Sequence, residues 1–381
     1  MRTRQIEWKV SITKLLYFFI VCIAVLRAMQ FHVDQGANMD FRRHMYMMEL
    51  VKNSDYSLFE YVFLHGDVFT SNITMRFCYT FNLIIYVASH YLDNYYLVAW
   101  LFVFFDYCII AYIGIDWWKN QGKRSGGMII CEILLCFSLL PFIHAVSGLR
   151  TAFAACIMAL AIYLYLHNNK GLKVFLILSF LSVTTHVFFI CVVPFVILAK
   201  KVNRTKGFII SLVGSVFVSL LANLFVRSGN YFLYSIASKY LEFTGDSGYV
   251  GTRFCYYGVI AINVLILCNY IYTGRLRRLL VKDNGTNDNS RSSSGMRIYD
   301  FIAYYTIFLL SNIGSYEMVL RPGYLLGALA PVVTGLVFGV QNKSRIKNGI
   351  TDVILIMLFI ILIYVSYMYL IWHSEYFVLN I

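Results

Sequence analysis

Residues 141–201 run PFIHAVSGLRTAFAACIMALAIYLYLHNNKGLKVFLILSFLSVTTHVFFICVVPFVILAKK, and the reading of this stretch decides the fold. It holds two long apolar runs joined by the polar hairpin His167-Asn168-Asn169-Lys170-Gly171-Leu172-Lys173, with Arg150 at a segment boundary and His186 inside the second run. Runs of about 20 apolar residues are what a helix needs to cross a hydrocarbon layer of about 30 Å. An arginine kept at bilayer depth costs a few kcal/mol even on permissive insertion scales, so it marks a functional position by default. The second run, Val174 to Ala199, would measure about 39 Å as a straight helix, longer than the layer. Lysines flank both of its ends: Lys170 and Lys173 before it, Lys200 and Lys201 after it. With both basic ends on one side, the run folds back near its middle and places His186 at the tip. Broken helices of this kind are tolerated where they line a protein cavity.

The rest of the chain agrees with a membrane reading. Of 381 residues, 60% are hydrophobic and 13% charged, and the mean hydropathy is +0.68; a soluble globule carries about 25% charge. Four prolines and 24 glycines leave the apolar runs mostly uninterrupted. These runs do not alternate as barrel strands do. The expected fold is all-α: a single polytopic membrane domain over 1–381, with about 10–11 transmembrane helices plus the broken or re-entrant one. The net charge of +13 sits in short links between apolar runs, as the positive-inside rule requires, and argues against nucleic acid as a partner. Nine cysteines lie almost all inside apolar segments without C-x-x-C pairs or histidines at ligand spacing. They read as small core residues, and no metal site is expected. The first apolar run, about 15–29, lacks a small-residue cleavage site and reads as a retained signal anchor.

In chain order, Arg2, Arg4, Lys9 and Lys14 place the N-terminus on the cytoplasmic side and residues 30–72 outside as the longest polar loop of the N-terminal half. The runs 73–91 and 95–115 follow, then a basic link with Lys119, Lys123 and Arg124. Two full crossings would put that link outside, so either one run does not span or the link is an exception to the rule. Asp106 and Glu132 lie within apolar runs and read as interhelical hydrogen-bonding groups, with a substrate-facing role as the alternative. From 128 the pattern alternates consistently, with a second external loop at 227–252 and a flexible, basic cytoplasmic linker at 274–297. The orientation of the basic links places Arg150, His186, Arg253, Glu317 and Arg321 on one face, the external one. Arginines held at membrane depth on one face suit a phosphate or pyrophosphate ester, because guanidinium stays charged and donates in pairs. No D-x-D pair and no Gly-rich phosphate loop is present.

The order of Arg150-Thr151-Ala152-Phe153-Ala154, a helix-length run, a Lys-rich turn and Thr184-Thr185-His186-Val187-Phe188 resembles the EpsG/Wzy-like polymerases of bacterial surface polysaccharides. Their pattern has Gln where Thr151 stands and Ser where Phe188 stands. Asp40 with Tyr46 and Glu60 with Tyr61 resemble the family's early acidic-aromatic elements. Arg321-Pro322-Gly323-Tyr324-Leu325-Leu326 resembles its late arginine element, with Leu325 in place of an aromatic residue.

The resemblance implies a membrane glycosyltransferase of the O-antigen polymerase type, of glycosyltransferase-C-like architecture, in the bacterial inner membrane. It would transfer a growing glycan from undecaprenyl pyrophosphate onto a lipid-linked repeat unit at the external face. Its partners would be lipid-linked oligosaccharides, membrane lipid and a chain-length regulator protein, with no cofactor. On this reading His186, Asp40 and Glu317 are the candidate catalytic residues. Arg150, Arg321 and Arg253 would hold the pyrophosphate, and Glu60, Tyr249 and Tyr324 the sugars. The alternatives are a flippase of lipid-linked oligosaccharide, a glycan ligase or a membrane O-acyltransferase.

Overall fold

The computed structural model describes residues 2–31, 40–70, 73–121, 126–168, 170–227, 250–283, 294–313, 316–339 and 349–372. Among them every regular element is helical. The helices are α1 (Arg2–Met29), α2 (Asp40–Lys52), α3 (Tyr79–Tyr91), α4 (Tyr96–Gln121), α5 (Gly126–Leu139), α6 (Phe142–Ser147), α7 (Leu149–Ile162) and α8 (Leu172–Thr185). They continue as α9 (Val193–Lys201), α10 (Arg204–Arg227), α11 (Val250–Asp283), α12 (Ser294–Ser311), α13 (Tyr316–Ala328), α14 (Ala330–Gly339) and α15 (Gly349–Trp372). The chain is an all-α polytopic membrane protein. Tyr96–Lys119 and Leu149–His167 are each long and apolar enough to cross a bilayer, and α13 with α14 forms an apolar pair bent by 75°, a broken span or a re-entrant loop.

α7 is the hub of the core. Its alanines 152, 154, 155, 159 and 161 are fully buried, so α4, α8 and α13 pack against it closely. Small residues permit such approach where lipid supplies no hydrophobic drive between helices. The outward faces carry Phe18, Phe19, Ile177, Phe180, Ile209 and Val216, all exposed, as a lipid-facing surface requires. Glu132 behaves as an interhelical tie: it accepts from the Tyr17 hydroxyl of α1 and from Trp118 Nε1 of α4 at 2.8 Å. Asp106 is fully buried, and its carboxyl oxygens have no hydrogen-bond partner among the described residues.

Four local features depart from the sequence reading, and a fifth, the unequal length of the runs 73–91 and 95–115, bears on a choice that the reading left open. Within the polar segment 30–72, residues 40–52 form a packed helix where a loop was expected: α2 presents Phe41, Met47, Met48 and Val51 inward and packs on α3 and α6. Its apolar residues recur at helical spacing, which outweighs its overall polarity. Of the two runs 73–91 and 95–115, the first yields only the 13-residue α3, about 20 Å long, whereas α4 has 26 residues. The run 128–146 breaks at Pro141, which cannot continue a helix interior. Arg321 and Pro322 lie within α13 rather than in an external turn. The basic segment 274–297 is helical at both ends, α11 reaching Asp283 and α12 starting at Ser294. Its middle, 284–293, lies outside the described residues, as does 228–249 of the second external loop.

The Val174–Ala199 run is broken at His186. α8 ends at Thr185, His186 is extended at φ −147° and ψ 108°, one 3-10 turn follows, and α9 restarts with Pro194 in its first turn. The causes are local. Thr184 and Thr185 turn their hydroxyls back onto the carbonyls of Phe180 and Leu181, each at 2.7 Å, a pattern that loosens a helix end. Proline then favours a fresh helix start.

Candidate functional site

The start of α2, the short helix α6, the start of α7 and the middle of α13 meet around one small cavity of about 80 Å3. Asp40, His144, Gly148, Thr151, Leu320, Arg321 and Tyr324 line it. Asp40 opens α2, where a carboxylate is favoured by the positive end of the helix dipole. α2 is pinned there by its own backbone, since the Phe41 N–H donates to Ser147 Oγ of α6 at 3.4 Å. One Asp40 oxygen lies 3.7 Å from Arg321 of α13, and the other 3.5 Å from Arg43. His44, one turn on from Asp40, sets its ring edge-on to Phe81 with centroids 5.0 Å apart. The Arg150 guanidinium lies over the same Phe81 ring at 5.7 Å. His144 and Tyr324 stack at 5.5 Å across α6 and α13.

Arg150 is the anomaly. Half-buried at the start of α7, it donates to Met75 Sδ and lies 4.0 Å from Cys78 Sγ. Among the described residues it has no oxygen acceptor and no carboxylate at ion-pair distance. A guanidinium offers five N–H donors in a planar fork, and two sulfurs are weak acceptors for it. Its charge is nevertheless felt throughout the site: Arg150 and Arg321 both act electrostatically on Asp40, His44 and His186.

Comparison with known families matches residues 15–380 to the EpsG family. The chain belongs to the EpsG family. No curated protein and no solved structure matches it. Membership gives this EpsG-family protein a role related to polysaccharide polymerisation.

Within this EpsG-family site the ionisable groups are differentiated by position. Burial by itself would raise the Asp40 carboxyl, but Arg321, His44, Arg43 and Arg150 override it and hold the group below the usual carboxylate range. Asp40 is therefore ionised and committed to two arginines. His44 is pushed down to about 4, by burial first and then by the Arg150 charge, with Asp40 pulling weakly the other way. Its imidazole is neutral at neutral pH. No hydrogen bond engages the His44 ring among the described residues. His186 is committed differently: its Nδ1 accepts from the Phe188 N–H at 3.3 Å. Neutral His186 then carries its proton on Nε2, which is left as a donor.

Of the residues singled out from the sequence, Asp40, Arg150, His186, Arg321 and Tyr324 converge. Glu60 stands apart. It is exposed, and the Ser57 hydroxyl and N–H donate to its carboxylate at 2.7 and 2.9 Å, a local cap on its own turn that holds it below the usual range. Arg253 falls in the first turn of α11 and Glu317 in the first turn of α13. Tyr249 lies outside the described residues. His44, His144 and Thr151 are site residues that the sequence reading did not assign. For His44 the available signal was its spacing of four from Asp40, which puts both on one helix face.

Proposed function

We propose that this EpsG-family protein is a membrane glycosyltransferase that polymerises a surface polysaccharide. It transfers a growing glycan from a polyprenyl pyrophosphate carrier onto a lipid-linked repeat unit at the external face of the bacterial inner membrane. The observation that carries this reading is Arg150: a half-buried guanidinium in a membrane protein, held by two sulfurs and the face of Phe81, with no oxygen acceptor among the described residues. Such a group calls for an anionic ligand, and Arg321, on the cavity that Gly148 and Thr151 line on either side of Arg150 in the chain, provides the second cation a pyrophosphate needs.

In the reaction the acceptor hydroxyl loses its proton, its oxygen bonds to the anomeric carbon, and the bond from that carbon to the pyrophosphate oxygen breaks with its electron pair. Arg150 and Arg321 offset the charge growing on the departing pyrophosphate. The Asp40 ion pair orients Arg321 before the donor arrives. His186 supplies a hydrogen-bond donor from its Nε2. The His144–Tyr324 stack presents an aromatic face on which a sugar ring can lie.

The test is gel analysis of surface glycan from a deletion strain complemented with intact or Arg150→Ala protein. The expected result is a ladder restored by the intact protein and single-repeat bands with the variant at equal membrane abundance. Loss of both ladder and single repeats in the deletion strain would instead mark a flippase. Unchanged ladder length with loss of an acyl group would mark an acyltransferase.

A further inference from the structure

Polymerisation needs a proton acceptor as well as cations, and the structure separates the candidates for that task. Asp40 is an ionised carboxylate already shared by Arg321 at 3.7 Å and Arg43 at 3.5 Å, which makes it a weak base. The lone pair of His186 Nδ1 is spent on the Phe188 N–H. His44 remains. Its ring is fixed against Phe81, it shares that ring with Arg150, and no hydrogen bond occupies either nitrogen among the described residues. The charged groups acting on it are Asp40 and Arg43 from α2, Arg150 from α7 and Arg321 from α13; α3 contributes the uncharged Phe81.

We propose that His44 is the general base that takes the proton from the acceptor hydroxyl, and that the donor's pyrophosphate switches it on by neutralising Arg150 and Arg321. The inference rests on the polymerase reading given above. In the unliganded site the two arginines and burial keep the imidazole neutral and reluctant to accept a proton. A pyrophosphate bound between Arg150 and Arg321 replaces a positive surrounding with a negative one, and an adjacent opposite charge favours the protonated imidazolium. The base is thus competent only when the donor is seated, and the acceptor hydroxyl is not activated in an empty site. The proton passes from hydroxyl oxygen to imidazole nitrogen as the new glycosidic bond forms, and from the imidazolium to water after the polyprenyl pyrophosphate leaves.

The experiment compares the intact chain with His44→Gln, which keeps a polar side chain of similar length but cannot take up a proton. Inorganic pyrophosphate is the binding probe. Titration calorimetry of the purified full chain at about pH 6, in buffers of different ionisation enthalpy, reads the protons taken up on binding, and the surface-glycan ladder reads polymerisation. The expected result is pyrophosphate affinity within about threefold of wild type, a proton uptake smaller than that of the intact chain, and loss of the ladder, as removal of a base worth about 10²–10⁴ in rate requires. A His44→Gln protein that still builds the ladder, or that takes up as many protons as the intact chain, overturns the inference and leaves the polymerase reading standing. An intact chain that neither binds pyrophosphate nor restores the ladder overturns both. Retained pyrophosphate affinity also shows that the variant is folded, so a missing ladder is then a catalytic loss.

Discussion

Arg321 lines the cavity and Arg150 lies in the chain between two residues that line it, Gly148 and Thr151; the two arginines are held in opposite ways. Arg321 is partly exposed and shares Asp40 in a long ion pair, whereas Arg150 has two sulfurs and the Phe81 ring. The first is positioned by its partner and the second waits for one. Removing Asp40 therefore separates a positioning role from a chemical one. Asp40→Asn deletes the carboxylate that competes with an incoming anion, so pyrophosphate affinity should rise severalfold while the glycan ladder shortens, with transfer falling about tenfold or less. A fall of about 10²–10⁴ would instead make Asp40 the base. At Arg321, lysine keeps the charge but loses the planar fork. Arg321→Lys should bind pyrophosphate more weakly than the intact chain and yield a ladder between those of the intact chain and Arg321→Ala, as measured on the same gel.

At the scale of the element, α2 is the piece whose docking assembles the site, and its stability should depend on pH. The His44 value in the docked state, about 4, lies below the ordinary 6.5, so the undocked helix binds more protons between those values. Docking is fully supported above about 6.5 and weakens as pH falls towards 4. Asp40, also held low, acts in the same direction, its contribution being lost as pH falls through its docked value. Protection factors of residues 40–52, taken as hydrogen exchange relative to the intrinsic amide rate at each pH, should fall between pH 7 and pH 5 in the intact chain, and by less in His44→Gln. An equal fall in both would detach the effect from His44. The break at His186 was legible before the structure because the run is too long for the bilayer and because lysines flank it on both sides. α2 was not legible as a docked helix, because its four buried residues sit among arginines, a histidine and a glutamate. The 13-residue helix is apolar only on the face that meets α3 and α6.

Across the whole molecule, the site depends on how closely α13 approaches the break between α5 and α6. Gly327 has no room for a side chain: a Cβ there would fall 2.7 Å from both the backbone N and the Cβ of Leu140, and 3.0 Å from the Leu139 carbonyl carbon. Because the obstacle includes backbone, it cannot rotate away. Gly327→Ala should cost about 1–3 kcal/mol and, by displacing the helix that carries Arg321 and Tyr324, weaken pyrophosphate binding as well. Gly171→Ala, which meets nothing within 4 Å, should stay within about 0.5 kcal/mol of wild type. Thermal unfolding of the detergent-purified chains measures both, and equal effects of the two substitutions would refute the argument.

Composition and charge placement by themselves determined that this chain is an all-α membrane protein, because hydrophobic run length and the cost of ionised groups in hydrocarbon leave few other solutions. They also marked Arg150 and His186, since an arginine or histidine inside an apolar run stands out against its neighbours. Which polar residues meet was decided only by tertiary packing. Asp40, Arg150 and Arg321 are separated by more than a hundred residues at each step, and their meeting depends on α2 docking under α6 and on α13 crossing α7. His44 looks like any other polar residue of a charged segment until Phe81 and Arg150 close around it. Sequence periodicity states which face of a helix turns inward, but not which other helix it will find there.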